Sequence, residues 1–357
     1  MSISVRSFAK INLGLGIGAL RGDGFHELRT VYQTIALHDV IRVSVGRGSG
    51  IEIRCEDSRV PKDRSNTCYR IVGLAMVALK ARGRVVVEIE KRLPVQGGLG
   101  GASGNAVAAL LALELALKKK LPGPERLRIA AETGSDVPLF LVGGTVLGVG
   151  HGEEVYPVPD LPAIPCVVAT PDIGVSTPKA FADWDLLIGP QGLKRGFSQT
   201  AIDTAEAVPA RSKLTLHPAS DRMGEFGRVL GAWLGGLSQS KHRQDKLKTG
   251  RALSGVPVSK GRGRAETPLL DLVRTGIEND FERVVFPKYP ELREVKRVLE
   301  RAGAVYASLS GSGSATYGLF ASRAAAEKAA ARLRKDGIPA TATTTLTRLR
   351  YWKKIFD

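Results

Sequence analysis

Pro94-Val95-Gln96-Gly97-Gly98-Leu99-Gly100-Gly101-Ala102-Ser103-Gly104-Asn105 stands between a β-branched run at 85–89 and a long Ala/Leu run that ends in Lys118, Lys119 and Lys120. The first run reads as a strand and the second as a helix over 105–118, whose terminal lysines suit the negative end of its dipole. Four glycines within 97–101 let the backbone take positive φ and approach a ligand closely. Consecutive N–H groups would then point inward at the positive end of the helix, making an anion cradle fit for a triphosphate. Ser103 can offer its hydroxyl to a phosphate or to Mg2+. No Gly-Lys-Ser/Thr follows, so this is not a Walker loop. It does not follow the first strand of a βαβ unit either, which sets it apart from a dinucleotide fingerprint. A ligand-free turn could hold some of these glycines, but so many beside so apolar a helix favour phosphate binding.

Working outward, residues 1–16 and 30–45 alternate as strands. Apolar spacing predicts helices over 66–81, 126–132 and 278–301, the last broken near Pro287 and Pro290, with strands over 145–149 and 166–170. A final β-α-β unit runs from 305 to 346, with a Gly/Ser turn at 310–314. Pro157, Pro159, Pro162 and Pro165 punctuate a domain junction. Arg6 and Lys10 precede an apolar run at 11–20 in the order of a secretory leader, but Gly14, Gly16 and Gly18 interrupt it and no small-x-small cleavage site follows. A buried strand and turn is the better account, and the expected location is the cytoplasm. No apolar run reaches the ~18 residues that span a bilayer. Cys55, Cys68 and Cys166 are too few and scattered for a disulfide framework or zinc site and read as buried thiols.

The 357-residue chain carries a formal net charge of +17. Residues 192–265 hold 14 Lys and Arg against 5 Asp and Glu, so about half of the excess lies in one segment. That segment is rich in Gly and Ser, has helical apolar spacing only at 226–237, and reads as a basic, loosely ordered insertion.

Three motifs in order resemble those of the GHMP kinases: the Gly-rich string, Ala9-Lys10-Ile11-Asn12-Leu13-Gly14-Leu15 near the start, and Ser308-Leu309-Ser310-Gly311-Ser312-Gly313-Ser314-Ala315-Thr316 near the end. Further strings resemble the diphosphocytidyl-methylerythritol kinase branch: Gly22-Asp23-Gly24-Phe25-His26-Glu27-Leu28, Gly134-Ser135-Asp136-Val137-Pro138-Leu139-Phe140, Asn279-Asp280-Phe281-Glu282 and Tyr289-Pro290-Glu291-Leu292. The resemblance covers about 3–185 and 267–350. Ala102 stands where a third Gly is usual, Gly104 where Ser is common, and Leu139 where Phe is common. The insertion has no counterpart in it.

Taken alone, Lys10 fits a solvated lysine at a strand start and Asp136 a turn former before Val-Pro. Phe25 and His26 fit a core ring and a satisfied surface residue. The resemblance implies more. Asp136 would be the base that takes or orients an acceptor hydroxyl proton, with Lys10 keeping it ionised and offsetting developing charge. Pro94, Val95, Gln96, Gly97, Gly98, Leu99, Gly100, Gly101, Ala102, Ser103 and Gly104 would hold ATP. Asn12, Phe25 and His26 would bind substrate, the histidine by hydrogen bonding a cytosine and Phe25 by stacking. His38, His151, His217 and His242 lack metal spacing and read as incidental; no side-chain cluster marks a metal site.

The fold implied is two-domain α+β: a ribosomal-S5-like N-terminal domain over 1–160 with the phosphate loop, and a ferredoxin-like C-terminal domain over 161–357 containing the insertion. The reaction implied is ATP- and Mg2+-dependent phosphorylation of the 2-hydroxyl of a small molecule with a cytidine diphosphate head group, on the methylerythritol phosphate route to isopentenyl diphosphate. The expected protein is a monomer or weak homodimer, with no membrane and no specific nucleic acid as partner. Two rivals stand beside it: a homoserine- or mevalonate-type GHMP kinase, which needs no cytosine pocket, and a basic nucleic-acid-binding protein on an S5-like fold.

Every motif lies outside the basic segment. Deleting 195–262 should therefore leave a protein with kinase turnover within about threefold of the full chain, since shortening a loop changes its closure entropy little. Loss of turnover in a deletion protein that circular dichroism shows to be folded would make the segment part of the working machinery.

Overall fold

Residues 2–95, 97–193 and 278–356 are described by a computed structural model. The chain opens with one long hairpin, β1 (Ser2–Leu20) against β2 (His26–Gly46), in antiparallel register from Ser2↔Ser44 to Leu20↔His26. Val5 and Phe8 enter one core, and Ala9, Ile11 and Leu13 another; a register irregularity between Phe8 and Ala9 marks the change of face. Lys10 and Asn12, two residues apart, therefore share the face opposite Ile11.

The other edge of β2 takes β4 (Arg84–Glu90) along 40–46 and β5 (Thr145–Val149) along 30–33. β3 (Ile51–Cys55) adds in parallel to β4, and β6 (Glu154–Pro157) antiparallel to β5. Helices α1 (Thr67–Ala78), α2 (Gly101–Leu117), α3 (Gly123–Thr133) and α4 (Val137–Val142) accompany this six-stranded sheet. Asn66 caps α1 by accepting from the Cys68 N–H at 2.8 Å. α2 is buried without a break from Gly104 to Glu114, which is why it carries no polar stripe. It also starts at Gly101, four residues before the sequence-based start at Asn105: the glycines themselves form its first turn, because helix burial outweighs their low helix propensity.

The second sheet has β7 (Pro165–Ala169), β8 (Tyr306–Leu309), β9 (Thr316–Leu319) and β10 (Ala340–Thr344) in the order β10-β7-β9-β8, all antiparallel. Between these strands lie α5 (Thr177–Leu193), α6 (Glu282–Lys288), α7 (Pro290–Arg301) and α8 (Arg323–Lys335). The strand order, with α7 and α8 on one face, is that of a ferredoxin-like layer. Pro290 opens α7 at its first turn, where no N–H is needed, while Pro287 sits within α6. The opposite face, with Cys166, Val168, Tyr317 and Leu319, packs on Ala9, Ile11, Val31 and Ile35 of the first hairpin. A last helix, α9 (Arg348–Lys354), returns to the first core through Tyr351.

The proline-punctuated stretch lies between β6 and β7. All three cysteines are free and buried, and burial pushes the Cys68 thiol up to about 12. Among the described residues no helix is long and apolar enough to cross a membrane. The apolar spacing at 226–237, and nearly all of the basic segment, lie outside the described residues.

Tyrosine hydroxyls stitch the halves together. Tyr317 donates to the Asn12 carbonyl at 2.7 Å, Tyr306 to the Leu13 carbonyl at 3.1 Å, and Tyr351 to the Phe140 carbonyl at 2.6 Å. Burial raises all three above the ordinary tyrosine range. Below about pH 10 they are protonated folded or unfolded and add no pH dependence. Above it the unfolded chain loses protons that the folded chain keeps, so stability falls as pH rises. Urea midpoints measured upward from pH 9 should bend down near pH 10, and less so in Tyr317→Phe; an identical slope in that variant would contradict the assignment.

Candidate active site

Lys10, on β1, is 3% exposed. A buried ammonium needs partners. Its Nζ donates to Asn12 Oδ1 at 2.7 Å, lies 3.4 Å from Asp136 Oδ2, and stands 5.5 Å from the centre of the Tyr32 ring. Asn12 is held in turn: its Nδ2 donates to Thr30 Oγ1 at 2.7 Å, and Thr30 Oγ1 donates to the Gly14 carbonyl at 2.8 Å. Asp136 stands at the start of α4, where its carboxylate makes no capping bond to the helix. Tyr32 donates its hydroxyl to Asp136 Oδ1 at 2.9 Å. Burial first, and then the Asp136 charge, hold the Tyr32 hydroxyl well above its usual pKa, so it stays a donor. The Asp136 side chain keeps 32% of its surface exposed and can meet a ligand.

The Gly-rich string passes directly above. Gly98 and Gly100 take φ of 78° and 69°, and the Leu99 carbonyl accepts from the Lys10 N–H at 2.9 Å. The turn after β8 docks on it. Ser310 Oγ donates to the Gly98 carbonyl at 3.0 Å, and the Ala315 N–H to the Gly97 carbonyl at 3.0 Å. A Cβ on Gly98 would lie 2.2 Å from the Ser310 carbonyl oxygen, and one on Gly313 2.4 Å from the Gly98 nitrogen. Both positions must be glycine. Asn279 steadies the second turn by donating to the carbonyls of Leu309 (2.9 Å) and Gly311 (2.7 Å).

Two cavities meet at Gly98, Gly100 and Ser103. One, about 300 Å³, runs along Pro94, Val95, Gly97, Gly101 and Ala102 toward Asn66 and Lys91. Lys91 Nζ pairs at 2.6 Å with Asp39, whose fully buried carboxylate also accepts the N–H groups of Arg92 (2.7 Å) and Leu93 (2.8 Å). The other cavity, about 710 Å³, has Lys10, Asn12 and Asp136 on its floor and is of a size usual for small-molecule sites. Its wall carries Phe25, His26, Phe181 and Asp185.

Lys10, Asn12 and Asp136 thus come together, with Phe25 and His26 on the same cavity. Phe25 is 58% exposed, with its ring stacked on His151 at 4.6 Å. His26 is buried; its Nε2 is 2.7 Å from Asp185 Oδ1 and its ring is stacked on Phe181 at 5.2 Å. Gly104 departs from the expectation. A Cβ there would lie 2.8 Å from Ser7 Oγ and 2.9 Å from the Phe8 carbonyl oxygen, so this glycine lets α2 pack on β1 and faces neither cavity. Gln96 lies outside the described residues. Tyr32, Lys91, Phe181, Asp185 and His151 join the site without having been singled out. His151, read as incidental, lines the larger cavity; Tyr32 could have been found as the register partner of Asn12. Among the described residues no three His, Cys, Asp or Glu side chains gather as a metal site.

Gly98→Ala should lower nucleotide affinity at least about tenfold in a folded protein, because the loop must leave the Ser310 turn to admit a methyl group. Gly104→Ala should lower the melting temperature and leave the affinity of the remaining folded protein nearly unchanged. Calorimetric titration with ATP separates the two, and equal affinities for Gly98→Ala and the parent would remove the cradle.

The family model for the GHMP kinases N terminal domain matches residues 66–144, and that for GHMP kinases C terminal matches 266–338. The 4-diphosphocytidyl-2-C-methyl-D-erythritol kinase of Solibacter usitatus (strain Ellin6076) is 35% identical over 332 residues, 93% of this chain and 85% of that protein. The enzyme of the same name from Acaryochloris marina (strain MBIC 11017) is 32% identical over 331 residues, 92% of this chain and 91% of that one. A crystal structure of 4-(cytidine 5'-diphospho)-2C-methyl-D-erythritol kinase superposes with a TM-score of 0.65 at 27% identity, covering 96% of this chain and 99% of that one. A mevalonate kinase, at 11% identity and a TM-score of 0.60, shares the fold.

Proposed function

The chain belongs to the 4-diphosphocytidyl-2-C-methyl-D-erythritol kinases, a branch of the GHMP kinases, and we propose that it phosphorylates the 2-hydroxyl of 4-diphosphocytidyl-2-C-methyl-D-erythritol at the expense of ATP. The observation that carries this reading is the position of the Lys10–Asn12–Asp136–Tyr32 cluster, on the larger cavity beneath the Gly-rich loop where that cavity meets the smaller one. The smaller cavity suits a nucleotide. Its loop turns positive-φ glycines and the start of α2 toward the junction, where negative charge is favoured. The bound nucleotide supplies the phosphoryl group.

The residues of this chain do the rest. Asp136 accepts the proton of the acceptor hydroxyl on the oxygen facing the cavity, while Tyr32 holds the other oxygen. The acceptor oxygen forms the new bond to the terminal phosphorus of ATP as the bond from that phosphorus to the departing ADP breaks. Lys10, fixed by Asn12, offsets the charge that develops between them. Mg2+ fits the chemistry of a triphosphate, and Ser103 is the side chain we assign beside it; phosphate oxygens would supply most of its ligands. Phe25, His26 and their neighbours Phe181 and Asp185 offer the larger cavity both aromatic faces and polar atoms, which suit a cytosine ring. Homoserine or mevalonate would leave that wall unused. We place the domain boundary near residue 160, between β6 and β7, and the protein in the cytoplasm.

An assay offering the cytidyl acceptor, homoserine and mevalonate with ATP tests the reading. Turnover should be confined to the first. Asp136→Asn should lower kcat about a hundredfold or more while ATP affinity stays within about twofold. Preference for another acceptor would refute the substrate, and parent-like turnover of Asp136→Asn would refute the base.

A further inference from the structure

Phe25 sits in a tight turn. The Arg21 N–H bonds the Phe25 carbonyl at 2.7 Å, the Phe25 N–H bonds Asp23 Oδ1 at 3.1 Å, and Gly24 takes φ of 83°. The turn fixes the backbone but not the ring, more than half of which is exposed. An exposed ring that must present one face to a ligand loses rotamer freedom when the ligand arrives, unless something orients it beforehand. His151 is in place to do so. The two rings stack at 4.6 Å with 28° between their planes. The imidazole is itself gripped: Nε2 lies 3.1 Å from Asp23 Oδ2 on the Phe25 turn, and Nδ1 3.8 Å from Glu153 Oε1. Glu153 Oε2 also accepts the His151 N–H at 2.6 Å.

The turn that carries His151 is anchored in the site. The Gly150 carbonyl accepts from the Leu28 N–H at 2.7 Å. Gly152 lies so near the catalytic cluster that a Cβ there would be 2.5 Å from the Tyr32 hydroxyl oxygen and 3.9 Å from Asp136 Oδ1. One short turn therefore touches the hydroxyl that holds Asp136 and, through His151, the ring at the mouth of the acceptor cavity.

We propose that His151 is a positioning residue for the acceptor: it stacks behind Phe25, fixes that ring before the acceptor binds, and sets its distance from the Asp136 end of the cavity. The inference rests on the larger cavity being the acceptor site.

The test is a double-mutant cycle read as Michaelis constants for the cytidyl acceptor and for ATP. His151→Ala should raise the acceptor KM about three- to tenfold, the span expected for one aromatic pair, with kcat and the ATP KM within about twofold of the parent. His151→Phe, which keeps a ring, should restore the acceptor KM; His151→Gln, which keeps polarity alone, should not. In a Phe25→Ala background, His151→Ala should add nothing, because a residue acting through Phe25 has nothing left to position. An unchanged acceptor KM in His151→Ala, or the same rise with Phe25 absent, overturns the proposal while the kinase assignment stands. A parent protein that does not turn over the cytidyl acceptor removes the assignment itself, and this inference with it.

Discussion

Two glycine-rich turns from opposite ends of the chain touch backbone to backbone, and the site depends on that contact. Between Gly97–Gly98 and Ser310–Ala315 there is no room for side chains; a methyl group on Gly98 or Gly313 would enter the opposing main chain. What holds the turns is the Ala315 N–H on the Gly97 carbonyl and the Ser310 hydroxyl on the Gly98 carbonyl. A residue with a side chain at either place would separate the halves by roughly an atom's width, and positioned catalytic groups tolerate little displacement. The same contact sets the height of the loop over Lys10, whose N–H is bonded to the Leu99 carbonyl. Gly311 is constrained by conformation rather than by space: its φ is 61°, and a Cβ there would sit in ordinary contact, 3.4 Å from both Lys10 Nζ and Asn12 Oδ1.

The remainder of the interface keeps those turns in register. The inner face of the second sheet and the middle of the first hairpin form one apolar cluster, from Ala9 and Ile11 to Val168 and Leu319. Burying that many side chains stabilises the joined state by several kcal/mol at about 25 cal/mol per Å². Tyr306 and Tyr317 add direction that apolar contact lacks, since each hydroxyl selects one carbonyl of β1 beside Asn12. β1 is therefore placed by its sheet partner, by the loop above it and by the second sheet. That is the preorganisation a buried charged cluster needs, because its groups must not relax toward water when a ligand leaves.

Much of this was legible in the sequence, and what was not has physical reasons. The strand on either side of Lys10, the glycine loop and the final β-α-β unit could be read because each rests on local patterning. The first turn of α2 could not. Glycine is a poor helix former, and only the tertiary burial of the helix makes Gly101 its start. β3 was hidden by its brevity, although Ile51, Ile53 and Cys55 alternate with Glu52 and Arg54, and α4 by its length of six residues. Asp136 could be singled out only through resemblance, since its proximity to Lys10 spans 126 positions that no local pattern reports. Asp185, 159 positions from His26, had no such signal and was missed. Gly104 is a glycine of the motif whose side-chain space is filled by a neighbouring strand, a close approach that the motif alone does not reveal.

Two lysines flank the loop, Lys10 buried and Lys91 nearly so, and their carboxylate partners differ in exposure and in what else bonds to them. Lys91 pairs with Asp39, which is 0% exposed and has both oxygens filled, one by Lys91 and the other by the Arg92 and Leu93 N–H groups. That carboxylate is closed to a ligand, because it is fully buried and both its oxygens are already bonded. It fixes Lys91 in the wall of the smaller cavity and bends the chain from β4 into the loop. Lys10 pairs with Asp136, about a third exposed, at the longer distance of 3.4 Å, and Tyr32 occupies only one of its oxygens. The other oxygen faces Lys10 at that distance, and Asp136 lines the larger cavity. The same pair of residue types is thus sealed in one place and open to a cavity in the other, and the difference lies in what else bonds to each carboxylate.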